Sequence, residues 1–303
     1  MAAAARPEVG IIGLGIMGSA MAGHLLARGP VWGTDIDPDR REAFAAAGGA
    51  VLGTATEVAR AAEIVITSLP TAGALFDVAA ALAAACRPGL IVVETSTLAL
   101  ADKERARELL EPSGAVLLDC PLSGTGAQAL EREVVVLGSG DERAFAAAQG
   151  VLEQVARTVR HIGPFGHGTT MKLVANLLVS VHNAAAAEAF ALGVRAGLDP
   201  YQLYDTVRLG AGGSVVFDRR GPLMAERRYR PATARVSMFV KDVGLIQQLA
   251  RSVDLATPVL DATLPLYELA MDEGFADADG AALREVLEGI KSPDIHDRDG
   301  NRS

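Results

Sequence analysis

Lys172 and Asn176 stand four residues apart in a stretch, Met171 to Val194, that is otherwise dominated by small and apolar side chains. On a helix that spacing stacks the two on one face. A lysine in dry surroundings costs several kcal/mol unless it is partnered, so its presence needs a chemical reason. Proton transfer is such a reason: burial and a neighbouring positive charge can bring a lysine amine into the range of a general acid or base at neutral pH. A second candidate lies near the start, where Gly13-Leu14-Gly15-Ile16-Met17-Gly18 follows a short β run and is followed by Asp35, 22 residues beyond Gly13. This is the order of a dinucleotide site. Gly13 permits a tight turn, Gly15 lets backbone approach a pyrophosphate, and Gly18 lets the helix pack on the strand. Asp35 suits the adenosine ribose hydroxyls and repels a 2′-phosphate, and the next residue, Ile36, offers no arginine for one. NAD is therefore expected ahead of NADP.

A third candidate is the loop Ser123-Gly124-Thr125-Gly126, whose backbone N–H groups and hydroxyls suit a carboxylate or phosphate. A plain connecting turn explains the same residues equally well. Leu69-Pro70 and Thr97 fall at the ends of β runs, where a parallel sheet binds its ligands, although a turn proline and a helix cap are the structural alternatives. Lys241, in Phe239-Val240-Lys241-Asp242, reads by itself as a solvated or snorkelling lysine. The five histidines form no dyad and Cys86 and Cys120 no CxxC pair, so no metal site is expected. Cys120 reads as a packing residue.

The elements that must position these groups alternate. Val9–Ile12, Val31–Thr34, Ile64–Thr67, Ile91–Val93 and Ala115–Asp119 read as strands, with alanine-rich helical stretches such as Ala72–Ala85 between them. That alternation predicts a mainly parallel sheet with helices on both faces. Val134–Leu137 and Thr158–Ile162 are expected to complete it. Past Gly168 the β signals stop. A long helix from about Thr169 to Ala196, apolar on nearly every side and so expected to be buried all round, is followed by helices at Pro200–Leu209, Ser214–Ala225, Val236–Ser252 and Thr257–Met271. Asp199 and Thr257, each before a proline, are expected as N-caps. The fold expected is thus an α/β Rossmann-type domain (1–168) plus an all-α substrate and oligomerisation domain (169–303), joined by a long buried helix, with the reaction in the cleft between them.

The 303 residues carry a net charge of -9 and are 50% hydrophobic, with no basic stripe, which argues against a nucleic-acid partner. No membrane partner and a cytoplasmic, reducing setting are expected. The uncharged run Val9–Ala27 resembles a leader peptide, but Glu8 precedes it and five ordered glycines punctuate it.

Taken together, GLGIMGSAMA (Gly13–Ala22), DCPLSGTGAQA (Asp119–Ala129), GHGTTMKLVAN (Gly166–Asn176) and FVKD (Phe239–Asp242) resemble the β-hydroxyacid dehydrogenase family over nearly the whole chain. The resemblance implies an oxidoreductase that moves a hydride between a nicotinamide cofactor and a small hydroxy-carboxylic acid. It implies Lys172 as the catalytic lysine with Asn176 beside it, and Ser123 and Gly124, with Thr125 at the third loop position, as the substrate-carboxylate loop. Thr97 and Lys241 become cofactor contacts, alongside Gly13, Leu14, Gly15, Ile16, Met17, Gly18, Asp35, Leu69 and Pro70. A homodimer or homotetramer interlocked through the long helix is also implied. Three positions depart from the family pattern: Thr125 where glycine is usual, Leu177 where asparagine is common, and His24 where asparagine is frequent. Imine reduction, known among relatives of this fold, and a non-catalytic NAD-binding role are the alternatives; Lys172 argues against the first, and Lys172 with Asn176 against the second.

Overall fold

The structure, a computed structural model, describes residues 7–290. Short, mostly apolar runs form β1 (Val9–Ile12), β2 (Val31–Thr34), β3 (Ala50–Val51), β4 (Ile64–Thr67), β5 (Ile91–Glu94) and β6 (Val116–Asp119). Between them run α1 (Ile16–Leu26), α2 (Pro38–Ala46), α3 (Ala55–Ala61), α4 (Ala72–Ala83) and α5 (Leu100–Leu110). The six strands are all parallel, in the order β3-β2-β1-β4-β5-β6. Alternate residues feed two cores. Val9, Ile11, Ile66, Val93 and Leu118 face one layer of helices, and Ile12, Val65, Val92 and Leu117 the other. This is a doubly wound, Rossmann-type sheet whose strand order reverses between β1 and β4, which puts the ligand edge beyond the carboxyl ends of those strands.

The chain continues through β7 (Leu122–Ser123), α6 (Gly126–Leu130), β8 (Val135–Gly138), α7 (Glu142–Val155) and β9 (Thr158–His161). Contrary to expectation, β8 and β9 do not extend the main sheet. With β7 they form a separate three-stranded sheet in which β7 runs antiparallel to β8. Pro121, which has no N–H to donate, follows β6 and turns the chain out of the parallel ladder. An isolated bridge, Asp119 to Ser139, still ties β6 to the end of β8.

α8 (His167–Arg195) is the longest helix, and the described residues divide after Val174 into two compact units. The second unit is helical: α9 (Pro200–Val207), α10 (Val215–Glu226), α11 (Val236–Ser252), α12 (Pro258–Asp261), α13 (Leu264–Ala270) and α14 (Leu283–Gly289). Its core gathers Ala187, Phe190, Phe217, Met224, Phe239, Tyr267 and Leu283. Asp199 caps α9 as its sequence predicts, accepting from the amides of Tyr201 and Gln202. Thr257 does not cap; its hydroxyl donates to Asp261 at 3.1 Å. The single helix expected over Thr257–Met271 is two, because Pro265 cannot supply the amide that would carry it past Asp261.

The all-round burial expected of α8 is not met within one chain. Met171, Val174, Leu178 and Leu192 are exposed, Leu192 to 71%, together with Ala185 and Ala189. Their spacing of three, four and seven residues makes a continuous apolar stripe. By length and composition α8 is also apolar enough to cross a membrane. Its far side instead behaves as a core helix. Asn183 is fully buried and donates both to the Tyr267 hydroxyl and to the Gly280 carbonyl, each at 3.0 Å.

Candidate active site

The turn after β1 takes the form its glycines predict. Gly13 has φ +90°, and a Cβ there would lie 3.0 Å from the Ser68 carbonyl carbon. A Cβ on Gly18 would lie 2.9 Å from the carbonyl carbon of Gly13. Only glycine at both positions lets α1 start this close to β1 and β4. Gly15 is the N-cap of α1, no side chain caps the helix, and its first turn contains no acidic residue. Amides at such a helix start, with the positive end of the macrodipole, suit a pyrophosphate. The residues present therefore fit a dinucleotide. Leu14 is buried, Met17 is half-buried, and Ile16 is exposed at the mouth of the turn.

Asp35 follows β2 and is nearly buried. Its Oδ2 accepts the Leu14 amide at 2.6 Å and its Oδ1 accepts the Asp37 amide at 2.9 Å, so the carboxylate is locked against the glycine turn. Reading Ile36 alone missed a basic neighbour. Arg40, in the first turn of α2, brings its guanidinium to 3.5 Å from Asp35 Oδ2. Leu69 and Pro70 follow β4; the Leu69 amide donates to the Ser96 hydroxyl at 2.7 Å, and its side chain borders Gly13. Thr97, half-buried, follows β5.

Ser123 pairs with Val135 at the end of β7, and Gly124, with φ +145°, packs so closely on Val134 that a Cβ would sit 2.7 Å from its Cγ1. Thr125 is the N-cap of α6, in a capping box with Gln128. Its hydroxyl is thus engaged by the helix start, which gives the departure at this position a structural role. The loop lies against the glycine turn, because a Cβ on Gly126 would run into Ile16. His24, the departure in α1, joins the same two segments through Nε2 to the Ala129 carbonyl at 2.9 Å. Cys120 is fully buried, and burial together with the adjacent Asp119 carboxylate pushes its thiol well above the usual range. It is a packing residue and no nucleophile.

Lys172 and Asn176 lie one turn apart on α8, both half-buried. In the second unit, Asn176 Nδ2 donates to Asp242 Oδ2 at 2.8 Å, and Lys241 Nζ lies 3.3 Å from Asp242 Oδ1. Asp242 is thus the hub of a lysine–carboxylate–amide cluster, a role that reading single motifs did not assign. Its signal was present in the sequence, as the acid directly after Lys241. Leu177, the departure beside Asn176, is half-buried. Among the described residues no group of His, Cys, Asp or Glu could hold a metal ion.

Comparison with known proteins identifies the family. A family model for the NAD binding domain of 6-phosphogluconate dehydrogenase matches residues 8–163. A second, for the NAD-binding of NADP-dependent 3-hydroxyisobutyrate dehydrogenase, matches residues 166–287. The L-threonate dehydrogenase of Cupriavidus necator is 35% identical over 94% of this chain and 98% of its own length. The solved 3-hydroxyisobutyrate dehydrogenase of Salmonella typhimurium is 33% identical, with a TM-score of 0.82 over 93% of this chain and 100% of that one. An imine reductase from Pseudomonas sp. is 22% identical, with a TM-score of 0.63 over 93% of this chain and 99% of that one, and shares the fold alone.

Proposed function

The chain belongs to the β-hydroxyacid dehydrogenase family, and from that premise we propose that Lys172 is its general acid and base, assisted by Asn176. The protein is an oxidoreductase that moves a hydride between NAD(P) and a small hydroxy-carboxylic acid. Bound NAD supplies the hydride acceptor, or NADH the donor, at its nicotinamide ring. Gly13, Leu14, Gly15, Ile16, Met17 and Gly18 would hold the pyrophosphate at the start of α1, and Asp35 would accept from the adenosine ribose. Leu69, Pro70 and Thr97 line the same edge of the sheet, and Lys241 would supply a further cofactor contact. Ser123 and Gly124 hold the substrate carboxylate through a hydroxyl and backbone amides, while Thr125 keeps α6 in register behind them.

In oxidation the substrate hydroxyl loses its proton to Lys172 Nζ as the hydride leaves carbon; in reduction Lys172 returns it. Asn176, with Nδ2 committed to Asp242, keeps its amide oxygen as the acceptor that orients an ammonium or a hydroxyl. That hydrogen bond is the observation that carries the reading. It explains why an amide sits one turn from the lysine and why Asp242 follows Lys241. Such proton transfer contributes about 10²–10⁴ in rate. Imine reduction fits less well, since the imine reductase comparison supports the fold and nothing finer.

The substrate is a short hydroxylated carboxylate, and L-threonate heads the panel because a relative bearing that name aligns end to end. The functional unit is a homodimer or homotetramer that covers the stripe Met171–Val174–Leu178–Leu192. A cytoplasmic, reducing setting belongs to the same reading, supported by two free cysteines, Cys86 and Cys120.

The test is absorbance at 340 nm with NAD and a panel of hydroxyacids, run beside an NADH-binding titration. Lys172→Ala is expected to bind NADH normally and to lose at least about a hundredfold in turnover. Turnover near that of the wild type would remove Lys172 from the mechanism. Normal cofactor binding with no turnover by the wild type across the whole panel would favour the non-catalytic alternative.

A further inference from the structure

Three charged side chains are completely buried at the carboxyl edge of the main sheet: Glu94, Lys103 and Asp119. Thr67, Glu94 and Asp119 are the last residues of β4, β5 and β6 and are paired in register. Lys103, from α5, reaches both carboxylates, with Nζ 2.9 Å from Asp119 Oδ1 and 3.9 Å from Glu94 Oε1. Taking such ions out of water is costly, and an apolar cluster of the same volume is often as stable or more so. Core stability alone does not explain the cluster. Its partners do.

Glu94 serves the cofactor edge. Its Oε2 accepts from the Thr67 hydroxyl, and its Oε1 accepts the Ser96 amide at 2.6 Å. Ser96 in turn receives the Leu69 amide at 2.7 Å. The segments carrying Leu69 and Thr97 are therefore pinned through one carboxylate. Asp119 serves the other arm. Its Oδ1 accepts from Lys103 and from the Thr169 hydroxyl at 2.7 Å; its Oδ2 accepts the Thr169 amide at 2.7 Å and the Ser139 hydroxyl at 3.1 Å. These four donors fill a carboxylate's capacity. Ser139 also accepts the Gly168 amide at 2.9 Å. A Cβ on Gly168 would sit 2.7 Å from the Asp119 carbonyl oxygen, so the first turn of α8 is pressed onto the end of β6. Thr169 and Lys172 are three apart on that helix and therefore neighbours on its surface.

We infer that Lys103 is a positioning residue whose buried ammonium joins the cofactor-edge segments, through Glu94, to the first turn of α8, through Asp119 and Thr169, and so fixes Lys172 against the bound nicotinamide cofactor. This rests on Lys172 being the acid/base group. The registration matters because a displacement of about 1 Å can cost on the order of a hundredfold in rate.

Three variants test it, each read by kcat, substrate KM, NADH affinity and thermal midpoint. Thr169→Val removes one donor from Asp119 and is expected to lower kcat about tenfold, with KM and NADH affinity within about twofold of the wild type. Thr169→Ser restores the hydroxyl and is expected to restore kcat. Lys103→Met releases both arms and is expected to lower kcat at least as far while also weakening NADH binding. In a Lys172→Ala background, Thr169→Val should cost nothing further. A folded Thr169→Val enzyme with kcat within twofold of the wild type overturns the inference, as does a full tenfold loss that persists in the Lys172→Ala background. Should Lys103→Met fail to fold, the Thr169 variants still decide. Failure of the acid/base reading itself shows separately, as a Lys172→Ala enzyme that keeps its turnover.

Discussion

Gly18 and Gly23 lie on the same helix, α1, and the same substitution should act in opposite directions at the two. At Gly23 a Cβ meets nothing within 4 Å. Alanine there removes backbone freedom from the unfolded chain and is expected to stabilise by about 0.5–1 kcal/mol. At Gly18 the added carbon would lie 2.9 Å from the Gly13 carbonyl carbon, and closer still to its oxygen. Carbon atoms in ordinary contact sit roughly 3.5–4.0 Å apart, so α1 would have to retreat from the turn by about an ångström. The obstacle is backbone, which cannot rotate away as a side chain would. Overpacking of this kind costs about 1–3 kcal/mol, and the upper end, about 3 kcal/mol, applies where neither partner can yield. The two variants should then differ by about 4 kcal/mol in urea unfolding. NADH affinity should follow, because α1 and the turn are the cofactor's platform. A retreat that loses 3 kcal/mol of binding weakens it roughly a hundredfold, at 1.4 kcal/mol per decade, while Gly23→Ala leaves it unchanged. A Gly18→Ala protein as stable as the wild type and equally tight for NADH would refute the glycine-turn argument.

Other measurements bear on separate parts of the structure. Asp35→Asn removes the charge that repels a 2′-phosphate while leaving Arg40 in place; the NADP-to-NAD ratio of kcat/KM is expected to rise at least about tenfold, and an unchanged ratio would move cofactor choice elsewhere. Leu178→Asp puts a charge in the exposed stripe of α8, so light scattering should show a smaller assembly than the wild type; a monomeric wild type sinks the oligomer reading. Burial alone would raise the carboxyl of Asp279, but Arg220, together with Thr233 and the Ala281 amide, outweighs it and holds the group below the ordinary carboxylate range. Because its folded value is depressed, its stabilisation is complete above the unfolded value, about 3.9, and fades as pH falls through the folded one. Asp279→Asn leaves the buried Arg220 without its carboxylate partner, 3.2 Å away, and should cost about 3–5 kcal/mol at pH 7. That cost should shrink in urea unfolding at pH 3, and a pH-independent cost would contradict the ion-pair account.

The parts legible in the sequence are those whose cause is local. Strand, glycine turn, helix and terminal acid at Val9–Asp35 each follow from steric rules that act within a few residues, and they fold as read. Asp199 with Pro200 is likewise a self-contained helix start, whereas Thr257 with Pro258 is the same dipeptide pattern and makes no cap, its ψ of 59° departing from the extended backbone that Asp199 has at 130°. The separate sheet of β7, β8 and β9 was illegible for a different reason. Periodicity identifies a strand without naming its neighbour, and only Pro121 hints that the chain leaves the ladder there.

The candidate site divides along the same line. The turn at Gly13 and Gly18 is legible because its backbone geometry is one that few residue types permit. Asp242 and Lys103 are not legible in the same way, because a charged residue on a helix reads as solvated until a distant partner is known. Lys103 sits in Ala101-Asp102-Lys103-Glu104-Arg105, which looks like an exposed helix face; yet its amine has no exposure and meets Asp119 across 16 residues. Asp242 meets Asn176 across 66. What would have exposed Lys103 is a count of acids on strand ends. Glu94 and Asp119 each close a strand whose apolar run predicts a buried edge, and a buried carboxylate demands donors. Of the nearby helices, α5 supplies a cation and α8 supplies a threonine, so the demand itself points to Lys103 and Thr169. A buried acid at the end of such a strand thus implies a buried donor on a helix packed against that end, as Lys103 of α5 and Thr169 of α8 are here.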